Sequence, residues 1–119
     1  MASGKRSKSA DPAPLPVERE KLRAAARMFA VLADENRLAI LVLLRPGPQT
    51  VSAVVDRLPL GQAAVSKHLS ALHRASFLAR ERRGNHVRYW IAEPMIFDLF
   101  ESVCAKLQRD ATKMAETMK

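Results

Sequence analysis

One cysteine, four glycines and aromatic side chains at only 5% of 119 residues are the scarcest features of this chain. A lone Cys104 excludes an intramolecular disulfide and any cluster of thiolates for a soft metal. With so little glycine there is no Gly-rich phosphate loop, and neither an HExxH pair nor a nucleophile-elbow pattern occurs. His68 and His73 have no partnering acid or nucleophile beside them, so the expectation is a protein that is not an enzyme. The scarcity of aromatics speaks against a surface built to dock another protein. No apolar run approaches the roughly 18 residues that cross a bilayer, so no membrane partner is expected. The opening MASGKRSKSADPAPLP is basic without an apolar core after it, which does not read as a secretory signal. Nothing demands an oxidising compartment, and cytoplasm is the default.

Acidic residues are the next shortage. Twelve Asp and Glu face twenty Lys and Arg, a net charge of +8 with an isoelectric point near 10.4. Such a balance suits a polyanion, although a merely soluble basic protein is equally compatible with it. Where the charge falls decides between them. Arg80, Arg82, Arg83 and Arg88 crowd into nine positions on a segment that alternates apolar and polar residues around Gly84-Asn85, the pattern of a basic β-hairpin.

Directly before this hairpin, Val65, Leu69 and Leu72 repeat at i, i+4, i+7, one face of a helix. Gln62, Ala63, Ser66, Lys67 and Ser70 occupy the opposite face. A helix offering short polar side chains and one cation fits a DNA major groove. Gln62 can make a bidentate contact with adenine; Ser66 can donate or accept at a base edge, and Lys67 can reach guanine or a phosphate. Ser70 and Arg74 extend the stripe toward backbone. Arg80, Arg82, Arg83, Arg88, Asn85 and His86 are the phosphate-contact candidates of the hairpin. His68 borders the apolar face and is expected to pack against the preceding helix.

The rest of the chain supplies a frame. Residues 1–16 read as a disordered basic tail, with Lys5-Arg6-Ser7-Lys8 solvated or brushing DNA backbone. Helical spacing places a first helix over Val17 to Leu32, through Leu22, Ala25, Ala26 and Phe29. Asp34 reads as the N-cap of a second, strongly apolar helix ended by Arg45-Pro46-Gly47-Pro48. Gln49 or Thr50 opens a short third helix carrying Val51, Val54, Val55 and Leu58, and a tight turn through Gly61 leads to the fourth at Gln62. After the hairpin, Pro94 takes the first position of a last helix. The expectation is a mainly α fold with a small β-hairpin, a winged helix-turn-helix of order α-α-α-α-β-β-α spanning 17–112, with 113–119 as a helix end or frayed tail. Leu22 and Phe29 on the first helix and Ile96, Phe100, Val103 and Leu107 on the last exceed what one small core can use. They are read as a dimer interface.

Three blocks, Leu32 to Leu41 (LADENRLAIL), Gln62 to Leu69 (QAAVSKHL) and Arg82 to Tyr89 (RRGNHVRY), stand in order at spacings that resemble the ArsR/SmtB family of small bacterial winged-helix repressors. The resemblance covers about residues 20 to 110. It implies a homodimer on double-stranded operator DNA, bacterial and cytoplasmic, held at the nucleoid through that DNA and released by an inducer, often a metal ion. Metal-sensing relatives often carry Cys-x-Cys in the third helix, where this chain has Val51-Ser52-Ala53-Val54-Val55. Others place histidine pairs on the last helix, yet no histidine follows His86. Neither a metal nor any other cofactor is therefore expected, and the inducer stays unnamed. Some relatives write cysteine at the positions of both Phe100 and Cys104. With one thiol, Cys104 is expected to be a small buried hydrophobe. The alternative is a thiol switch that pairs with its symmetry mate or takes a reversible oxidative cap. An architectural DNA binder acting by charge and abundance is the other open reading.

Overall fold

The computed structural model describes residues 15–118. The basic stretch Lys5 to Lys8 and most of the expected tail lie outside the described residues. The chain divides into two compact units, Met1–Ala30 and Val31–Lys119. The first holds most of helix α1 (Arg19–Leu32), whose side chains up to Ala30 are all exposed.

In the second unit, α2 spans Glu35–Leu44 and is capped as its sequence suggests. Asp34 Oδ1 accepts from the backbone N–H of Asn36 at 2.8 Å and of Arg37 at 3.1 Å. These are two of the donors that a helix start leaves without partners. Ile40, Leu41 and Leu44 are buried, and the chain leaves the helix with Gly47 N–H donating to the Leu44 carbonyl at 3.1 Å.

The expected order gains one element here. Gln49–Thr50 forms a short strand, β1, before α3 (Val51–Val55). Thr50 serves both, since its Oγ1 also accepts from Ala53 N–H at 3.2 Å. Helix α3 is shorter than its apolar pattern suggests. It stops at Val55, and Leu58 falls in the following turn, still packed on the core.

Helix α4 covers Gln62–Arg74 behind Gly61, as expected. Its far end closes with Phe77 N–H on the Leu72 carbonyl at 3.0 Å and Ser76 N–H on the His73 carbonyl at 2.9 Å. This paired closure needs a left-handed residue, and Ser76 takes it at φ 66°. Strands β2 (Leu78–Arg83) and β3 (His86–Ile91) follow. They pair antiparallel from Leu78↔Ile91 to Arg83↔His86. In the two-residue turn between them only Gly84 has positive φ, at 58°, which suits the twist of a tight hairpin. The sheet order is β1-β3-β2.

Helix α5 runs Met95–Thr117, one residue after the expected start at Pro94. Ile96 is only 3% exposed and joins Phe97 in the core of its own protomer. This removes Ile96 from the expected dimer stripe, because a single helix face can be covered first by α2 and only farther along by something else. Arg45 holds that junction, with its guanidinium 4.5 Å above the Phe97 ring and 3.4 Å from Glu101.

The cap at Asp34 gives a test. Hydrogen bonds from Arg37 and Asn36 hold its carboxyl below the usual carboxylate range, against the opposing effect of desolvation. Its contribution is therefore complete above the unfolded-state pKa and is lost as pH falls through the lower folded value. Asp34→Ala should cost about 1 kcal/mol of unfolding free energy at neutral pH. In urea melts the gap between the two proteins should close below about pH 4.

Candidate nucleic-acid interface

Helix α4 faces two environments. Val65, Leu69 and Leu72 have no exposed surface at all, and the helix packs on α2, α3 and β2. On the other side Gln62, Ala63, Lys67 and Arg74 are exposed, while Ser66 and Ser70 are half-buried at its flank. The apolar anchors thus leave a short-chained polar face in solvent.

A polar cleft of about 230 Å³ opens at the start of this helix. Gln62 and Ser66 line it from α4, Asn85, His86 and Val87 from the wing, and Thr50 and Ser52 from the start of α3. The sequence pattern gives Gln62, Ser66, Asn85 and His86 a shared function, whereas Val87 reads from it as core. It missed Thr50 and Ser52, because only the pairing of Thr50 with Arg88 brings them beside the wing, and a two-residue strand has no periodicity to announce it.

The wing arginines do not form one uniform patch. The register puts Arg80 and Arg82 on the face of Val87 and Tyr89, and Glu81 and Arg83 on the face of His86 and Arg88. On the first face, Arg80 Nη1 donates to Tyr89 Oη at 3.2 Å. A second, larger cleft of about 400 Å³ lies there, lined by Arg80, Glu81, Arg82, Val87 and Tyr89. On the other face Arg83 Nε is 2.7 Å from Glu81 Oε1. The Arg83 guanidinium holds the Glu81 carboxyl below its usual range, with Arg88 adding a smaller effect. Arg88 is half-buried opposite Glu81, and its Nε meets no acceptor.

The polar partner of His68 lies beyond the preceding helix on which its spacing places it. The imidazole Nδ1 accepts from Arg37 Nε of α2, two helices back, at 3.1 Å. Cys104 departs from expectation: it is exposed on α5, where a buried small residue was expected, because this stretch of the helix has moved beyond the protomer's core. Of the remaining dimer candidates, Phe100 is half-buried, Leu22 and Phe29 on α1 are exposed, and Val103 and Leu107 on α5 are 49% and 60% exposed.

Comparison with known proteins places this geometry. The helix-turn-helix domain family matches residues 32–81. The HTH-type transcriptional repressor SmtB of Mycobacterium tuberculosis is 35% identical over 98 residues, covering 82% of this chain and 73% of that protein. The chain belongs to the ArsR/SmtB family. Among solved structures, Mycobacterium tuberculosis Rv0081 superposes with a TM-score of 0.73 at 28% identity, over 82% of this chain and 99% of that one. The homodimeric winged helix-turn-helix DNA-binding domain of Mb0332 from Mycobacterium bovis gives 0.67 at 26%, over 82% and 91%. Family membership makes this a winged helix-turn-helix of a DNA-binding transcription regulator family, not of an enzyme family.

Pairing on the wing gives a test by DNA binding. Among the described residues Arg82 bonds only the Gly84 carbonyl and no carboxylate, whereas Arg83 is paired with Glu81. Arg82→Ala should flatten the log–log salt dependence of binding to random duplex by about 0.9, the value of one phosphate contact. Arg83→Ala should do less. Glu81→Gln should strengthen binding and steepen that slope, as read by fluorescence anisotropy across a salt series.

Proposed function

We propose that this chain is a dimeric, sequence-specific transcriptional repressor that carries no metal-sensing site of its own. Helix α4 reads base edges in the major groove through Gln62, Ala63, Ser66, Lys67 and Ser70. Arg74 and the wing residues Arg80, Arg82, Arg83, Asn85, His86 and Arg88 hold phosphates. The observation that carries this is the division of α4 into three fully buried anchors and an exposed polar face beside the wing cleft. A helix held by its back is free to present its front. The relative SmtB is named as a transcriptional repressor.

Dimerisation rests on the apolar side chains that the protomer leaves uncovered. Val103 and Leu107 on α5, and Leu22 and Phe29 on α1, are all exposed. Burial of each such side chain stabilises by about 1.5–3 kcal/mol, which favours a partner surface. Mb0332 is described as a homodimer, and two-fold proteins match two-fold operators. For metals, no three of His, Cys, Asp or Glu come together among the described residues, while a structural zinc takes about four such ligands.

A second reading is favoured by one observation. Cys104 is exposed on α5 rather than buried, which leaves its thiol open to an oxidative cap or to a symmetry mate. In that case the repressor answers to oxidants.

Three outcomes test these readings. Gln62→Ala and Ser66→Ala should each cost about 1–3 kcal/mol on the preferred duplex and little on random DNA; equal losses on both would favour an architectural binder. Val103→Glu should shift a dimer to monomer in sedimentation at micromolar concentration, because the interface would enclose an unpaired charge. Stoichiometric zinc, cadmium or arsenite should leave operator affinity unchanged. Release of DNA by peroxide or polysulfide from the parent, and not from Cys104→Ser, would select the thiol-responsive reading.

A further inference from the structure

Arg37 lies in the first turn of α2, and its half-buried side chain makes two bonds to other elements. Its Nε donates to His68 Nδ1 on α4 at 3.1 Å. Its Nη1 donates to the Val31 carbonyl, in the last turn of α1, also at 3.1 Å. Meanwhile its backbone N–H is held by the Asp34 cap. A guanidinium is planar and its donors point in fixed directions. With one acceptor fixed at Val31 and the backbone fixed at Asp34, the place at which a third group can accept is largely determined. His68 occupies that place.

Most of the rest of what holds α4 is non-directional, apart from the edge-on contact of His73 near its far end with the Tyr89 ring, centroids 6.4 Å apart. Val65, Leu69 and Leu72 bury fully, but apolar burial scales with area and is indifferent to a few degrees of rotation about the helix axis. Base contacts are not indifferent, since a recognition group must sit within about half an ångström of its productive position. A directional bond at His68, between the exposed Lys67 and the buried Leu69, is placed to fix that rotation. We infer that Arg37 and His68 are positioning residues for sequence discrimination: the Arg37–His68 bond sets the angle at which α4 presents Gln62, Ser66 and Lys67 to the bases. This rests on the reading of α4 as the base-reading helix. The bond needs an unprotonated Nδ1, hence the imidazole tautomer with its proton on Nε2. Asparagine at position 68 would offer its Oδ1 near the same point without the ring.

The test uses the full chain and a preferred duplex selected from a random library, with a random duplex of equal length beside it. The readout is the ratio of the two dissociation constants, together with thermal melting to follow the fold. Arg37→Gln and His68→Ala should each lower the ratio about ten-fold, the size of one charge-assisted hydrogen bond. Binding to random DNA should stay within about two-fold, because phosphate contacts are untouched. His68→Asn should recover most of the ratio, and the Arg37→Gln/His68→Ala double variant should be no worse than the poorer single one. Should Arg37→Gln fail to fold, Arg37→Lys replaces it: one ammonium cannot reproduce the planar pair of bonds, so the ratio should fall while the melt stays cooperative. A discriminating parent matched by these folded variants overturns this inference alone, as does an equal loss on both duplexes or a His68→Asn no better than His68→Ala. A parent that binds both duplexes alike overturns the base-reading role of α4, and this inference with it.

Discussion

Everything else in the second unit depends on the burial of one stripe, Val65, Leu69 and Leu72, without residual exposure. The three together outweigh any single polar contact of the helix. Each aliphatic side chain contributes about 1.5–3 kcal/mol on burial, against about 1 kcal/mol net for an ordinary hydrogen bond. Apolar contact therefore decides that α4 is held, and the hydrogen bonds decide how. Helices α2 and α3 and strand β2 are the surfaces that cover the stripe. Because they cover only one side, the opposite side can carry short polar groups without any of them being stranded in the interior. Among the described residues no polar or charged residue is buried as a whole, and the enclosed side-chain nitrogen that lacks a partner, Arg88 Nε, belongs to the wing.

The wing is a second constraint, and its chemistry is less uniform than its composition. Four arginines on two strands look additive when counted, but the pleat sorts them to two faces. Three then acquire a local circumstance: Arg80 with a tyrosine hydroxyl, Arg83 with a carboxylate, Arg88 partly enclosed. The short strand β1 matters for the same reason. By pairing with β3 it joins the start of α3 to the wing, so the cleft beside Gln62 is closed by three elements rather than two.

Much of this architecture was legible in the chain. Asp34, Gln62 and the Gly84 turn mark their boundaries by local chemistry, and local chemistry is what a sequence displays directly. The failures share a different cause. Strand β1 is too short to have a period, and its partner is distant in the chain. Ile96 belongs to the same helical stripe as Phe100 and Val103, and spacing alone cannot say which residues of a stripe their own protomer covers. The partner of His68 lies 31 residues away, beyond the reach of periodicity. Cys104 was assigned by the habit of its residue type, while its exposure depends on how far α5 extends past the core.

Trp90 shows what the sheet register implies for observing this protein. It is the chain's only tryptophan, half-buried on β3 opposite Ala79 and on the sheet face away from Tyr89. Indole emission excited at long wavelength therefore arises from a single point on the wing's base strand. That strand carries Arg88 and His86 toward the hairpin tip and pairs with β1 beside the helix-turn-helix. Without any added label, the native fluorescence of this protein reports on the central strand, which pairs with β2 on one side and with β1 at the start of α3 on the other.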